Sequence, residues 1–194
     1  MYFFNINFLL AKNFTLRLKK NDSMKIHLPQ SENLPGYYKS YLHYITESDL
    51  LEVLVQQKEE TKKFLKSVAH EKEDHRYAPG KWMLKEVAGH VCDTERILSY
   101  RALRFSRNDS TACAGFDENN YVPNSNYSHL SLAEISEEKA AIRDSTIFLF
   151  KNMTEEMLDR KGTANNMELT ARALLFFIVA HERHHMKVIK EKYL

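Results

Sequence analysis

The sequence contains few of the residues that interrupt or cross-link a chain. Among its 194 residues there are five glycines, four prolines and two cysteines. So little turn chemistry disfavours a many-stranded sheet and favours long helices with few connections. Two cysteines are too few for a disulfide framework, which predicts a reducing, cytoplasmic location.

An excess of charge of one sign is also lacking. The 28 basic and 26 acidic side chains give a net charge of +2, and no long block of one sign occurs. Binding to nucleic acid or to an anionic membrane normally requires such a block, so we predict neither partner. No uninterrupted apolar run reaches the roughly 18 residues that a membrane-spanning helix needs.

The N-terminal stretch is apolar but resembles no targeting signal. It has no basic residue before its short apolar run, and no small-residue cleavage site follows. We predict that residues 1–23 are a disordered leader or the product of a misassigned start, with Met24 as the natural first residue. Residues 24–194 have the length of one well-packed domain.

Four segments show the spacing of three and four residues between apolar side chains that is typical of helices. They run over about 50–68, 84–107, 131–153 and 169–193. The last segment contains the run LLFFIVA, which is apolar on all sides and is therefore predicted to be buried. The pattern predicts an all-α fold, a four-helix bundle.

The connections add three signals. Ser131 followed by Glu134 forms a capping box, which marks the start of the third helix. The polar, Asn-rich stretch 108–130 is longer than most connections, so we predict one long crossover there. The segment TEEMLDRKG is predicted to be a helical turn closed by Gly162.

Histidines on two of these helices form a candidate metal site. His181 and His185 are one turn apart and project from the same helix face, so they can bind one ion. His90 is predicted to face the bundle interior and to supply the third ligand. His184 could replace His185, although the four-residue spacing favours His185.

The segment HERHH also matches the H-E-x-x-H pattern of zinc proteases. Those enzymes take a third ligand from farther downstream, and no histidine follows His185, so a protease is not expected. Glu182 either orients the site from outside the coordination sphere or is a solvated helix carboxylate. Asp93 and Arg101 are close to the face of His90 and could contact ligands or substrate, with a structural ion pair as the alternative.

The segments PGKWMLKEVAGHVCDTER, RALRF, GFDENNYV and KGTANNMELTARALLFFIVAHERHH resemble the DinB-like family of bacterial metal-binding four-helix bundles. The resemblance covers nearly everything after Met24. It maps the family's helix-two histidine and H-x-x-x-H pair onto His90, His181 and His185. It further implies a homodimer and an enzyme that uses a low-molecular-weight thiol such as bacillithiol or mycothiol.

Three histidine ligands leave a coordination position open, which is typical of catalytic sites. The leading hypothesis is a metal-dependent enzyme that transfers a low-molecular-weight thiol to a small electrophile. Candidate substrate-binding residues are Arg101, Asp117, Asn119 and Tyr121. The alternatives are a metal-dependent hydrolase that activates water and a non-catalytic metal-binding stress-response module. Neutral imidazoles favour zinc or nickel, with manganese or iron as further possibilities.

Overall fold

The computed structural model describes residues 25–194, so the predicted leader, residues 1–23, lies outside the described part of the chain. The described part contains seven α-helices and one β-hairpin. The helices are α1 (Gly36–Lys39), α2 (Leu50–Ser67), α3 (Leu84–Ser106), α4 (Glu118–Tyr121), α5 (Leu132–Phe150), α6 (Glu155–Asp159) and α7 (Ala171–Lys192), and the strands are β1 (Lys161–Ala164) and β2 (Met167–Thr170). The long helices α2, α3, α5 and α7 confirm the predicted four-helix bundle.

Side chains at the helix starts satisfy backbone N–H groups that have no partner inside the helix. Asp49 caps α2, and Thr170 caps α7 by accepting a hydrogen bond from the N–H of Ala173 at 3.0 Å. The predicted capping box is present at α5, where Ser131 accepts from the N–H of Glu134 at 3.2 Å. These caps fix where each helix begins, and thereby which residues face the interior.

The helices pack mainly in pairs that are not adjacent in sequence. The most extensive contacts join α3 to α7 and α2 to α5, and α3 also packs on α5. The chain between α3 and α5, residues 107–131, is the predicted long crossover, and it contains α4 and two short 3-10 turns. Because α3 and α7 are direct neighbours, side chains on these two helices can meet in the interior.

The interior consists of two apolar clusters together with buried polar side chains. One cluster contains Leu98 and Phe105 of α3 with Ala171 and residues 173–180 of α7. The other contains Leu84 and Val87 of α3 together with Ile189 of α7. All four long helices also place polar or charged side chains in the interior, and the buried ones include Gln57, Thr61, His90, Thr94, Glu95, Arg101, Lys139, Arg143, His181 and Glu182. The candidate functional residues therefore belong to this polar layer.

The β-hairpin was not predicted from the sequence. Strands β1 and β2 pair antiparallel around Asn165 and Asn166, whose φ angles are 49° and 60°. Two positive φ values are typical of a type I′ turn, and asparagine tolerates them better than most residues. The predicted helical turn is present as α6 but ends at Asp159, and Gly162 lies in β1, where a Cβ would overlap the ring of Phe105.

Within residues 25–194, no helix combines the length and the apolar character that crossing a membrane requires.

Candidate metal centre

Helices α3 and α7 bring together the three predicted ligands, which we call the histidine cluster: His90, His181 and His185. His90 and His181 are buried, and His185 is half-buried. Aromatic neighbours hold two of the rings. The ring centroid of Trp82 lies 5.1 Å from that of His90, and the centroid of Phe177 lies 5.4 Å from that of His181.

The Nε2 atoms of the cluster point towards one another. The Nε2 atom of His181 lies 3.3 Å from that of His90 and 3.0 Å from that of His185. Nitrogens bound to one tetrahedral zinc ion at about 2.0–2.1 Å are about 3.3 Å apart. The three nitrogens thus have the separations of ligands that share one small cation, and this donor set fits a divalent metal ion.

The surroundings of the cluster keep its rings neutral. Burial lowers the pKa of His90 to about 4. The pKa values of His181 and His185 are well below the usual value because both rings are buried and because the other histidines lie close by. Neutral imidazole has a free nitrogen lone pair at neutral pH, which is the form that binds a metal.

His184 does not join the cluster. Its Nδ1 lies 2.8 Å from the hydroxyl of Tyr44, and this contact turns the ring away from the Nε2 atoms of His181 and His185. The four-residue spacing of His181 and His185 is therefore the one that brings two nitrogens together.

The histidine cluster lies on the wall of a cavity of about 630 Å³, which we call the histidine cavity. Much of its lining is aromatic, contributed by Tyr37, Tyr38, Tyr41, Trp82, Phe116 and Phe177. Its polar lining includes Thr94, Arg101, Glu118 and Asn165. A cavity that combines aromatic walls with a few convergent polar groups is typical of a site for a small molecule.

Of the residues predicted to accompany the histidines, Arg101 lines the histidine cavity, whereas Asp93 does not. The hydroxyl of Tyr127 donates to Asp93 at 3.1 Å, and Arg96 lies 3.5 Å from its carboxylate, so the ion-pair alternative describes Asp93. The helix geometry explains the difference. A residue three positions after His90 is turned about 60° from it, whereas Thr94, four positions after it, is turned only about 40°.

The structure contradicts both interpretations of Glu182 that were drawn from the sequence. Its side chain is 1 % exposed, so it is not a solvated carboxylate. It accepts a hydrogen bond from the hydroxyl of Thr61 at 2.5 Å and forms ion pairs with Lys139, at 2.7 Å, and with Arg143. These contacts direct its carboxylate towards α2 and α5, and within residues 25–194 it forms no hydrogen bond with the three histidines.

Glu182 belongs to a second buried cluster, the buried ion network, which consists of Glu95, Lys139, Arg143 and Glu182. The guanidinium of Arg143 donates to the carboxylate of Glu95 at 2.7 and 2.8 Å, and the same guanidinium pairs with Glu182. Burial raises the pKa of Glu95, but the charges of Arg143 and Lys139 outweigh burial and lower it overall. Each charge in the network thus has a partner of opposite sign.

The crossover residues fall on different surfaces. Asp117 caps the short helix α4 by accepting from the N–H of Asn119 at 2.9 Å. Asn119 lines a smaller neighbouring cavity that also touches His185, and Tyr121 lines the cavity beside Asp93. The crossover instead presents Phe116 and Glu118 to the histidine cavity. Sequence reasoning missed Glu118 because spacing gives no information about which side of an irregular segment faces inward.

Thr94 and Trp82 were also missed. The signal for Thr94 was available, since it stands one helical turn after His90. Trp82 precedes α3 and has no periodic pattern to place it.

A four-helix bundle with three convergent histidines beside a cavity defines a class of helical proteins with a candidate metal site. Residues 54–189 match the model of the DinB superfamily, and the chain belongs to this superfamily. No curated protein sequence matches the chain.

Two solved structures have a similar fold. The first is YfiT from Bacillus subtilis, described as a probable metal-dependent hydrolase with an unusual four-helix bundle topology. It is 15% identical, with a TM-score of 0.68, and the match covers 85% of this chain and 91% of YfiT. The second is a DinB-like protein, YjoA, also from Bacillus subtilis. It is 16% identical, with a TM-score of 0.53, and the match covers 73% of this chain and 86% of YjoA.

Proposed function

We propose that this protein is a metal-dependent enzyme that transfers a low-molecular-weight thiol to a small electrophile, with His90, His181 and His185 as the metal ligands. One observation carries the proposal. Three neutral histidines converge at the wall of a cavity that is large enough for a small substrate. A divalent cation bound there would lower the pKa of a thiol or a water molecule that coordinates to it.

The electrostatics of the cluster favour a thiol over water as the nucleophile. Within residues 25–194, no carboxylate forms a hydrogen bond or an ion pair with the three histidines, and Glu182 is held by Arg143 and Lys139. Glu118 lines the same cavity and its charge acts on His90, but it does not belong to the cluster of candidate metal ligands. Hydrolytic sites commonly use a carboxylate beside the metal as general base. A thiol has a free pKa of about 8.5, so the positive charge of an ion is sufficient to deprotonate it near neutral pH without such a base.

The ligand set supports zinc or nickel as the metal. Imidazole suits zinc and nickel, whereas manganese prefers oxygen ligands, and no carboxylate of the described chain joins the cluster. Iron remains compatible with imidazole. The homodimer and the cytoplasmic location are further predictions, and sedimentation of the purified protein would test the first.

Hydrolysis is the second candidate, because the fold is similar to that of YfiT, described as a probable metal-dependent hydrolase. The two reactions differ in their need for a thiol. A non-catalytic metal-binding module would need neither a thiol nor access to the ion from the cavity.

The first experiment measures the metal content of protein purified without an affinity tag. We expect about one ion per chain, and loss of that ion in His90→Ala, His181→Ala and His185→Ala. His184→Ala is the matched control, because His184 lies beside His185 but contacts Tyr44. Metal content that is unaffected by all three cluster substitutions would refute the site.

The second experiment incubates the metal-loaded protein with a panel of thiols and electrophiles and follows conjugate formation by mass spectrometry. Thiol transfer requires a conjugate that forms only with metal and thiol present. A product that forms without thiol would favour the hydrolase. If neither product forms, and small thiols do not coordinate the bound metal, the non-catalytic module is favoured.

A further inference from the structure

We infer that the molecule bound in the histidine cavity carries a carboxylate, that Arg101 binds this carboxylate, and that Thr94 hydrogen-bonds the same molecule closer to the histidines. The inference rests on the proposed function, because it assumes that a small molecule occupies this cavity. It adds the chemical class of that molecule and assigns two residues to its recognition.

The first observation is that Arg101 is buried without an ion-pair partner among the described residues. Its side chain lines the histidine cavity and is only 6 % exposed, yet its guanidinium forms no salt bridge within residues 25–194. It donates one hydrogen bond, to the backbone carbonyl of Ala114 at 2.7 Å. A buried charge normally has a partner of opposite sign, because its removal from water is costly.

The other buried arginines follow this rule. Arg143 pairs with Glu95 and Glu182, and Arg172 pairs with Glu155 and Asp159. Arg101 is the exception among the buried arginines of the described chain, and it is also the one that faces the histidine cavity. An anionic ligand would supply the missing partner.

The chemistry of the cavity favours a carboxylate over a phosphate. A guanidinium has five N–H donors arranged in a planar fork that matches a carboxylate, and the bond to Ala114 uses only one of them. Among residues 25–194, Arg101 is the only permanent cation that lines this cavity, whereas Glu118 contributes a negative charge. Arg101 follows His90 by about 16 Å along α3, so at its end of the cavity its single positive charge compensates a monoanion, but a doubly charged phosphate would be left unbalanced beside Glu118.

The second observation is the hydroxyl of Thr94. It is the one buried side-chain oxygen or nitrogen of residues 25–194 without a hydrogen-bond partner. The side chain is 4 % exposed and lines the same cavity. Buried hydroxyls are almost always paired, so an unpaired one on a residue that lines a cavity is a candidate partner for a ligand group.

The helix geometry places these groups in one row. Thr94 and Arg101 follow His90 by four and eleven residues on α3, which turns them only about 40° and 20° from it. Eleven residues correspond to about 16 Å along the helix axis. The histidine cluster and the guanidinium are therefore at opposite ends of the row, with Thr94 between them, so one elongated molecule could contact all three.

The test uses probe pairs that differ only in a carboxylate. N-acetylcysteine and N-acetylcysteinamide represent the thiol, whereas 4-phenylbutanoate and 4-phenylbutanamide represent an electrophile without a thiol group. Binding to the protein as purified is measured by calorimetry, with metal content determined in the same samples. We expect the parent protein to prefer the carboxylate of at least one pair by about tenfold or more.

Arg101→Gln should abolish this preference while it keeps a donor for the carbonyl of Ala114. A carboxylate that coordinates the metal would do so in both proteins, so the change in preference isolates Arg101. Arg160→Gln is the matched control, because Arg160 also donates to a backbone carbonyl, that of Ser106, but does not line the cavity. The pair that shows the preference identifies whether the thiol or the electrophile carries the carboxylate.

An unchanged preference in Arg101→Gln, or no preference in the parent, would overturn the inference. If instead the parent binds no metal but retains a preference that depends on Arg101, the proposed metal enzyme fails while the carboxylate site stands. Arg101→Lys distinguishes loss of charge from misfolding, because it should retain part of the preference.

Thr94→Val provides a separate readout. Removal of an unpaired buried hydroxyl should leave the melting temperature unchanged or raise it, whereas binding of the preferred probe should weaken severalfold. A lower melting temperature with unchanged probe binding would show that Thr94 has a structural role only.

Discussion

The histidine cluster and the buried ion network stand on the same helices but have opposite chemistry. His181 and Glu182 are adjacent on α7, and Thr94 and Glu95 are adjacent on α3. Glu95 and Glu182 are fully paired with Lys139 and Arg143. On the other side of both helices, the histidines, Thr94 and Arg101 surround a cavity of about 630 Å³.

In the buried ion network the polar groups pair with one another and stabilise the bundle, whereas at the histidine cavity they are available to bind a ligand. In the buried ion network, opposite charges from α3, α5 and α7 cancel, and Thr61 and Gln57 of α2 add further contacts. At the histidine cavity, the described residues offer no hydrogen-bond partner to the hydroxyl of Thr94 and no ion pair to Arg101, and the three imidazole nitrogens approach one another. A polar layer can thus be structural on one side and suited to binding on the other.

The largest expected effect is on the free energy of unfolding, and it distinguishes Arg143, which forms ion pairs, from Arg101, which forms none within the described residues. Arg143→Met removes the partner of both Glu95 and Glu182, and we expect the free energy of unfolding to fall by about 3–5 kcal/mol. Arg101→Met breaks no ion pair and should cost no more than about 1–2 kcal/mol. Urea denaturation measures both, and equal losses would contradict the distinction between the two regions.

A smaller effect concerns pH. The pKa of His90 is about 4 in the folded protein, compared with about 6.5 in an unfolded chain. Between these values the unfolded chain binds a proton at His90 that the folded chain does not, so His90 alone should cost metal-free protein up to about 3 kcal/mol of stability as the pH falls from about 6.5 to about 4. Above pH 6.5 this contribution is fully present.

Unfolding measured across this pH range would test the prediction, with His90→Gln expected to reduce the slope. His70→Gln is the control, since the His70 side chain is 90% exposed. A slope that both variants share with the parent would show that His90 does not cause it.

The smallest expected effect concerns two helix caps, and it tests whether the metal site depends on the stability of a helix start. Ser131→Ala and Thr170→Ala each remove a cap and should each cost about 1 kcal/mol in thermal or urea unfolding. Thr170 begins the helix that carries His181 and His185, yet the packing of α7 should hold both residues in place. Metal content that falls in Thr170→Ala but not in Ser131→Ala would show that the site depends on the start of α7.

The sequence predicted the long helices well because their apolar residues recur with helical spacing, and the caps at Ser131 and Asp49 use residues suited to that position. It also brought His181 and His185 together, since four residues separate neighbours on one helix face. It did not predict the hairpin around Asn165 and Asn166. Two asparagines in the left-handed region are a weak signal, and the docking of β1 onto Phe105 depends on residues distant in sequence.

The sequence by itself determined the four helices and the histidine pair, because both follow from local periodicity. Only the tertiary structure decided which helices are neighbours, and so placed His90 beside the pair and turned Glu182 towards Arg143. It also decided that Thr94, Arg101 and Glu118 face one cavity while Asp93 faces another. Such choices depend on contacts between helices, which the spacing of residues along one chain segment does not encode.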